Sequence, residues 1–192
     1  MRRNFFSEDF VRVISGKARG LKLYSPEDND TRPTLDRVKE ALFSMLLPYI
    51  QEAKVLDLFA GSGALGIEAL SRGACKAFFV DNSDKAIKCI RDNLSISKFQ
   101  EVSVVLKTSA ENFLNTTDEI FDVIFIDPPY ANGLYSDIIS SIYENNILAE
   151  NGLIVVEWDF DIGFSFNTQL FSVLKEKKYG RVGVTLLCRK DN

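Results

Sequence analysis

The chain has 192 residues, 46% of them hydrophobic, which is enough for one substantial core but short for two ordinary domains. No apolar run approaches the roughly 20 residues of a membrane helix, and acidic residues interrupt the N-terminal segment, so we expect a cytoplasmic protein without a membrane partner. Histidine is absent and the three cysteines show no C-x-x-C spacing. This composition excludes Ser/His and Cys/His nucleophiles and indicates neither a disulfide framework nor a metal site.

The net charge of -4 is unevenly distributed along the chain. Residues 1–39 carry a charge of +3, which leaves -7 for the remainder. Four basic residues and no acid occur in a short N-terminal stretch, namely Arg12, Lys17, Arg19 and Lys22. Such a local excess attracts phosphate, although a solvated basic hairpin without a partner is an equally good interpretation of the charge alone.

The first quarter of the chain has the pattern of a small appendage. Alternating apolar residues predict a hairpin of two strands, at residues 11–15 and 21–24. Thr34 is typical of a helix N-cap, and the helix that follows should end just before Pro48. We therefore expect residues 1–50 to form a hairpin-and-helix appendage, and residues 51–192 to form the main domain.

In the main domain, short strand patterns alternate with helix patterns. Strands are predicted at residues 54–59, 76–81, 102–107, 121–127, 152–159, 172–177 and 181–189, and helices at residues 64–73, 83–97, 110–114 and 134–145. Such alternation requires right-handed crossovers and a mostly parallel sheet that is covered on both faces. The closing hairpin can add an antiparallel strand. The sequence therefore predicts a Rossmann-like α/β fold.

A glycine-rich loop follows the first strand of this domain. The segment "GSGALG", Gly61 to Gly66, fits the pattern G-x-G-x-x-G, and Asp81 lies twenty residues beyond Gly61 at the end of the next strand. This arrangement is typical of a site for a nucleoside-bearing cofactor, in which the acid binds the ribose hydroxyls. An NAD-dependent oxidoreductase would use the same loop, so the pattern alone does not identify the cofactor.

Asp57, four residues before Gly61, favours one cofactor over the other. A carboxylate facing this crevice would repel a pyrophosphate, whereas S-adenosylmethionine carries an ammonium and a sulfonium group. We therefore expect S-adenosylmethionine, with its amino-acid part near Asp57 and its ribose near Asp81, and S-adenosylhomocysteine as the product. The alternative is that Asp57 caps a turn and Asp81 ends a strand.

The segment "IDPPY" ends the strand predicted at residues 121–127. Asp127 and the Pro128 carbonyl could accept hydrogen bonds from both N–H groups of a nucleobase amine, and Asp127 could take the proton that methylation releases. Tyr130 offers a flat face for an extruded base, a contact worth roughly 1 to 3 kcal/mol. The alternative is a stiff strand-to-helix turn with an incidental aromatic residue.

Two sets of motifs resemble known families. "DLFAGSGALGIEAL" with "DPPY" resembles class I S-adenosylmethionine-dependent methyltransferases that modify exocyclic amines. "RVISGKARGLKL" followed by "TRPTLDRVKEALFSML" resembles the bacterial 16S rRNA guanine-N2 methyltransferase family that acts on guanine 966. This resemblance, over residues 12–189, implies a seven-stranded sheet with an antiparallel last strand, and a monomer that methylates 16S rRNA or the assembling small subunit. DNA adenine or protein glutamine amines are alternative acceptors, and an inactive RNA-binding module is an alternative from another class.

The resemblance also implies roles for individual residues. The cofactor would contact Asp57, Phe59, Gly61, Gly63, Asp81, Asn82, Ser109, Ala110 and Asp127. The guanine amine would contact Asp127, Pro128 and Tyr130, and the RNA would contact Arg12, Lys17, Arg19, Arg32 and Arg37. Where the family has an acid before the alanine of the third-strand loop, this chain has Ser109, with Glu111 two residues on, so either could contact the adenine amine.

Overall fold

The structure is a computed structural model that describes residues 10–25, 33–128 and 134–190. The predicted sites at Arg32 and Tyr130 lie outside these residues. The strands are β1 (Phe10–Arg12), β2 (Lys22–Tyr24), β3 (Lys54–Asp57), β4 (Lys76–Asp81), β5 (Ser103–Lys107), β6 (Phe121–Ile126), β7 (Leu148–Asp159), β8 (Phe171–Tyr179) and β9 (Val182–Arg189). The α-helices are α1 (Pro33–Met45), α2 (Leu47–Ile50), α3 (Ala64–Ser71), α4 (Asp84–Ser97), α5 (Ala110–Thr116) and α6 (Leu134–Glu144).

Seven of these strands form one sheet in the order β5-β4-β3-β6-β7-β9-β8. The pairs from β5 to β7 are parallel, whereas β9 is antiparallel to both of its neighbours. The predicted α/β class, with a mostly parallel sheet and an antiparallel last strand, is therefore confirmed. Leu56 pairs with Ile124, so the glycine-loop strand and the strand before the two prolines are neighbours.

Helices cover both faces of the sheet, as the alternation of strands and helices predicts. Side chains alternate between the two faces of a strand, so neighbours such as Val55 and Leu56 belong to different core clusters. The cluster of Val55 includes residues of α1, α3 and α4, and the cluster of Leu56 includes residues of α5 and α6. Of the described helices, none has the length and apolar character that a bilayer span requires.

The hairpin of β1 and β2 is a separate two-stranded sheet that docks onto the main domain. The backbone N–H groups of Ile14 and Ser15 donate to the Glu68 carboxylate of α3, at 2.7 and 3.0 Å. The N–H of Tyr24 donates to Asn93 Oδ1 of α4 at 2.8 Å. The hairpin is thus fixed to the helix that follows the glycine loop, a contact that the sequence did not predict.

Several element boundaries differ from the sequence prediction; the first hairpin strand, for example, is predicted at residues 11–15 and lies at Phe10–Arg12. Helix α1 ends at Met45, before Pro48 as predicted, but a short second helix that the sequence does not predict, α2, contains this proline in its first turn. Proline is tolerated there because the first N–H groups of a helix have no partner within the helix. Strand β7 begins at Leu148 rather than at residue 152, and its pairing with β6 is irregular between Phe121 and Val123.

Candidate active site

A cleft of about 680 Å³ opens at the carboxyl ends of the central parallel strands. Carboxylates dominate its charged lining: Asp57, Asp81, Asp127, Glu157 and Asp159. Among the described lining residues, Arg181 is the single basic side chain. Such a cleft is suited to a cationic ligand and unsuited to a pyrophosphate.

Strand geometry explains why four of these acids meet. Residues two apart on a strand point to the same face. Each acid stands two positions after a buried residue of one core cluster, so that Asp57, Asp81, Asp127 and Glu157 follow Val55, Phe79, Phe125 and Val155. The four strands concerned, β4, β3, β6 and β7, are consecutive in the sheet. Their carboxylates therefore form a row along one edge of the sheet, on the face that carries α3.

The glycine loop contacts Asp81, the acid at one end of this row. Gly61 and Gly63 have φ angles of 53° and 78°, in the left-handed region that favours glycine. The Gly61 N–H donates to Asp81 Oδ2 at 2.9 Å, and the Ser83 N–H donates to Asp81 Oδ1 at 2.8 Å. Asp81 therefore holds the loop and the start of α4 while it also lines the cleft.

The third glycine allows α3 to pack closely on the sheet. A Cβ atom at Gly66 would lie 2.3 Å from the ring of Phe79. This is the helix-strand contact for which the last glycine of such a loop is needed.

Asp57 is buried at the floor of the cleft, with 3% of its surface exposed. Its Oδ2 accepts a hydrogen bond from the Gly66 N–H at 3.0 Å, and no other described residue donates to the carboxylate. Burial, opposed by the hydrogen bond from the Gly66 N–H and assisted by the charges of Asp127 and Asp81, raises the pKa of Asp57 to about 7. Asp57 thus caps the first turn of α3 and also stands where a bound cation would stabilise its charge.

Asp127 and Glu157 are neighbours across β6 and β7, because Ile126 pairs with Val156. Asp127 is open to the cleft, yet partial removal from bulk water raises its pKa. Burial raises the pKa of Glu157, and the nearby charge of Asp127 raises it further. Within the described part of the chain, neither carboxylate is hydrogen-bonded or paired with a cation. Two adjacent carboxylates are thus presented to a ligand.

Most of the predicted cofactor and amine positions meet in this cleft. The lining includes Asp57, Phe59, Gly61, Asp81, Asn82, Ser109, Ala110, Asp127 and Pro128. Gly63 lies just behind it as the N-cap of α3. Ser109 also caps α5, since its Oγ accepts from the Asn112 N–H at 3.1 Å. Glu111 is exposed and is not part of the described lining, so Ser109 is the better placed of these two residues.

The predicted RNA-binding residues lie away from the cleft lining, on the hairpin and on α1. Arg12, Lys17, Arg19 and Arg37 are all exposed. Arg12 pairs with Asp36 of α1 at 3.2 Å, and its side chain is 59% exposed. The hairpin that carries Arg12, Lys17 and Arg19 contacts α3, the helix that follows the glycine loop, since the Lys17 N–H donates to the Ser71 carbonyl at 2.7 Å.

Sequence reasoning missed the β7 side of the cleft. Glu157, Trp158 and Asp159 line it, together with Tyr135 of α6 and Arg181. The available signal was the acid in "IVVEW", which interrupts an apolar strand near its end just as Asp57 and Asp127 do. Among the described residues, no group of acids and thiols is arranged to hold a metal ion.

The chain is similar over most of its length to two named ribosomal RNA methyltransferases. The chain is 38% identical over 180 residues to ribosomal RNA small subunit methyltransferase D of Escherichia coli K12, covering 94% of this chain and 90% of the relative. It is 41% identical over 179 residues to ribosomal RNA small subunit methyltransferase D of Haemophilus influenzae, covering 92% of each.

The fold is also found in a solved homologue. The structure of the Escherichia coli protein yhhF superposes with a TM-score of 0.86 at 34% identity, and covers 96% of this chain and all of that chain. The family described as Conserved hypothetical protein 95 matches residues 11–188. The protein is therefore a member of the Conserved hypothetical protein 95 family and a homologue of ribosomal RNA small subunit methyltransferase D.

Proposed function

We propose that this protein transfers a methyl group from S-adenosylmethionine to the exocyclic N2 amine of a guanine in 16S rRNA, at guanine 966. The observation that carries the proposal is the row of carboxylates beside the glycine loop, in which Asp127 is followed by Pro128. The names of the two relatives support ribosomal RNA of the small subunit as the substrate. The particular base and atom follow from the motif resemblance.

The cleft suits the methyl donor. When bound, S-adenosylmethionine supplies an electrophilic methyl group on a sulfonium and leaves as S-adenosylhomocysteine. Asp57 would hold the ammonium group, because its carboxylate is buried and has one hydrogen-bond donor from the described protein. Asp81 would accept hydrogen bonds from the ribose hydroxyls, and Phe59, Asn82, Ser109 and Ala110 would surround the adenine.

Further along the row, beyond Asp57, Asp127 and Pro128 would activate the acceptor amine. The lone pair of the guanine amine is delocalised into the ring, so the amine is a weak nucleophile. The Asp127 carboxylate and the Pro128 carbonyl would accept hydrogen bonds from its two N–H groups and localise that lone pair on nitrogen. The lone pair would form the N–C bond with the methyl group that the donor supplies, the C–S electron pair would leave with the donor's sulfur, and the amine proton would pass to Asp127. A raised pKa suits Asp127 for accepting that proton near neutral pH.

The appendage would bind the RNA outside the cleft. Arg12, Lys17, Arg19 and Arg37 are exposed on the hairpin and α1, where they could contact phosphates. Arg32 is proposed for the same role and Tyr130 for stacking on the extruded base. In this arrangement residues 1–50 would position the RNA and residues 51–192 would carry the chemistry, in a monomer that acts on 16S rRNA or the assembling small subunit.

The test is transfer of a tritiated methyl group to small ribosomal subunits from a strain that lacks this gene, with the modified nucleoside identified by mass. We expect N2-methylguanosine with the wild-type protein, and no transfer with Asp127→Ala although S-adenosylmethionine still binds. Asp118→Ala, which removes an equal charge from an exposed position, is the control and should be active. Normal turnover by Asp127→Ala would remove Asp127 from the mechanism. Thermal stabilisation by NAD and not by S-adenosylmethionine would favour an oxidoreductase instead.

A further inference from the structure

Glu157 has no role in the motif resemblance, yet it stands beside Asp127 in the cleft. We propose that Glu157 accepts a hydrogen bond from the N1–H of the target base, and that this contact selects guanine over adenine. The inference rests on the proposed function, since it concerns the base whose amine Asp127 receives.

The position of Glu157 is set by the strands on both sides of β7. On one side, Ile126 of β6 pairs with Val156, so the residues that follow them, Asp127 and Glu157, lie at the same height. On the other side, Glu157 pairs with Val184 of β9. The hydroxyl of Tyr135 donates to the Glu157 carbonyl at 3.0 Å, which ties α6 to this point of β7. The backbone of Glu157 therefore lies one strand spacing, about 4.8 Å, from that of Asp127.

Glu157 also differs from the other acids of the cleft in what it contacts. Asp57 accepts from one backbone N–H, Asp81 accepts from two, and Asp159 pairs with Arg181 at 3.2 Å. The Glu157 carboxylate, on a half-buried residue, has no hydrogen bond or ion pair with any described residue. An unpaired carboxylate that is partly removed from water is costly, and a second carboxylate beside it adds repulsion. A donor on the ligand would offset that cost.

Guanine supplies such a donor at the right place, and adenine does not. On the Watson–Crick edge of guanine, the N2 amine is adjacent to N1–H, a second donor. On adenine, the N6 amine is adjacent to N1, which carries a lone pair. With the reacting amine at Asp127, guanine would lie with its N1 side, rather than its N3 side, toward Glu157, the next carboxylate in the row. Glu157 would therefore accept from guanine N1–H and repel the lone pair of adenine N1.

This contact would distinguish guanine from adenine, two methyl-accepting bases that the amine motif does not distinguish. Asp127 and Pro128 can receive any exocyclic amine, whereas a buried acceptor rejects a base that leaves it unpaired. Sites built to hydrogen-bond a substrate group reject analogues that lack the group by factors of up to about 10⁴ to 10⁵. The site would thus recognise the base edge with two neighbouring carboxylates. Asp127 would contact the reacting amine, and Glu157 would contact the adjacent N1–H.

The experiment compares two RNA substrates that differ in N1–H. The first carries guanine at the target position and the second carries 2-aminopurine, which keeps the 2-amine but has a lone pair at N1. The ratio of kcat/KM for guanine to kcat/KM for 2-aminopurine is measured for the wild type and for Glu157→Gln. Because 2-aminopurine also lacks O6, only the change in the ratio between the two proteins reports on Glu157.

We expect a strong preference for guanine in the wild type and a ratio at least about tenfold lower in Glu157→Gln, since a charge-assisted hydrogen bond is lost and the new amide can donate to N1. Glu150→Gln, the same change at an exposed site on β7, should keep the wild-type ratio. Binding of S-adenosylmethionine to Glu157→Gln, measured by calorimetry, should be unchanged to within about threefold, a difference under 1 kcal/mol.

An unchanged ratio in Glu157→Gln would overturn the inference, as would a loss confined to binding of the methyl donor. Failure of the wild type to methylate guanine would instead overturn the proposed function. If Glu157→Gln does not fold, Glu157→Asp provides the same comparison, because it keeps the charge and retracts the carboxylate by one methylene. The guanine preference should then fall, and an unchanged preference would again contradict a contact with N1–H.

Discussion

Glu68 offers the sharpest test of how the appendage is attached, because one fully buried carboxylate serves four donors. It accepts from the N–H groups of Ile14 and Ser15, and from Arg72 Nε at 2.7 Å, and its Oε2 lies 3.5 Å from Lys39 Nζ. Glu68 and Lys39 are 0% and 6% exposed. The perturbation is Glu68→Gln, which keeps the shape of the side chain and removes its charge.

The expected loss follows from these contacts. Burial lowers the pKa of Lys39, and the Glu68 charge is the main influence that opposes this shift. Removing one partner of a buried ion pair costs about 3 to 5 kcal/mol, out of a total stability of about 5 to 15 kcal/mol. For a chain of this length about 1 kcal/mol corresponds to a Tm change of about 2 to 4 °C, so Tm should fall by about 6 to 20 °C.

The assay is urea and thermal unfolding followed by circular dichroism, with Lys39→Met completing a double-mutant cycle. We expect the double variant to lose less stability than the sum of the two single variants, because it leaves no unpaired buried charge at this pair. Glu40→Gln, at the exposed neighbouring position on α1, is the control. A loss in Glu68→Gln no larger than that of the control, or strict additivity in the cycle, would refute the idea that this pair fixes the appendage.

Two further predictions concern the ligands. Because the pKa of Asp57 is raised to about 7, its carboxylate is largely protonated below that pH, so affinity for S-adenosylmethionine should increase about tenfold from pH 6 to pH 8. Calorimetry should show a smaller increase in Asp57→Asn, and an equal increase would assign it to other acids. The double variant Lys17→Glu/Arg19→Glu should weaken RNA binding and flatten the dependence of log Kd on log salt, measured by filter binding. Lys175→Glu/Lys177→Glu, on β8, is the matched control, and an unchanged slope in the hairpin variant would count against the hairpin as the RNA contact.

The sequence carried the local features of this protein because they depend on neighbours in the chain. The helix cap at Ser83 was read from a residue type and its spacing, and its Oγ accepts from the Ala86 N–H in the structure. The strand at residues 76–81 was predicted with its observed bounds. The glycine loop and the acid of the next strand were likewise visible as a motif, and Gly61 does donate to Asp81.

The contacts of Glu68 could not be read in this way. Its partners Ile14 and Ser15 are more than 50 positions away, and its charge within "GIEALS" has the appearance of an ordinary surface position of a helix. The Glu68 side chain becomes buried because the hairpin docks onto α3. The sequence does not predict α2 for a related reason, since this four-residue helix includes Pro48 and its Ile50 is buried by tertiary packing.

In the cleft, too, the sequence determined some features and the tertiary structure determined others. The chain alone determined which strands would end in an acid, because alternation along a strand fixes the face on which Asp57, Asp127 and Glu157 point. It did not determine which strands would be neighbours or at what height, since these depend on pairing between segments far apart in sequence. The register of Ile126 with Val156 places Glu157 beside Asp127, and that long-range pairing is a property of the folded sheet.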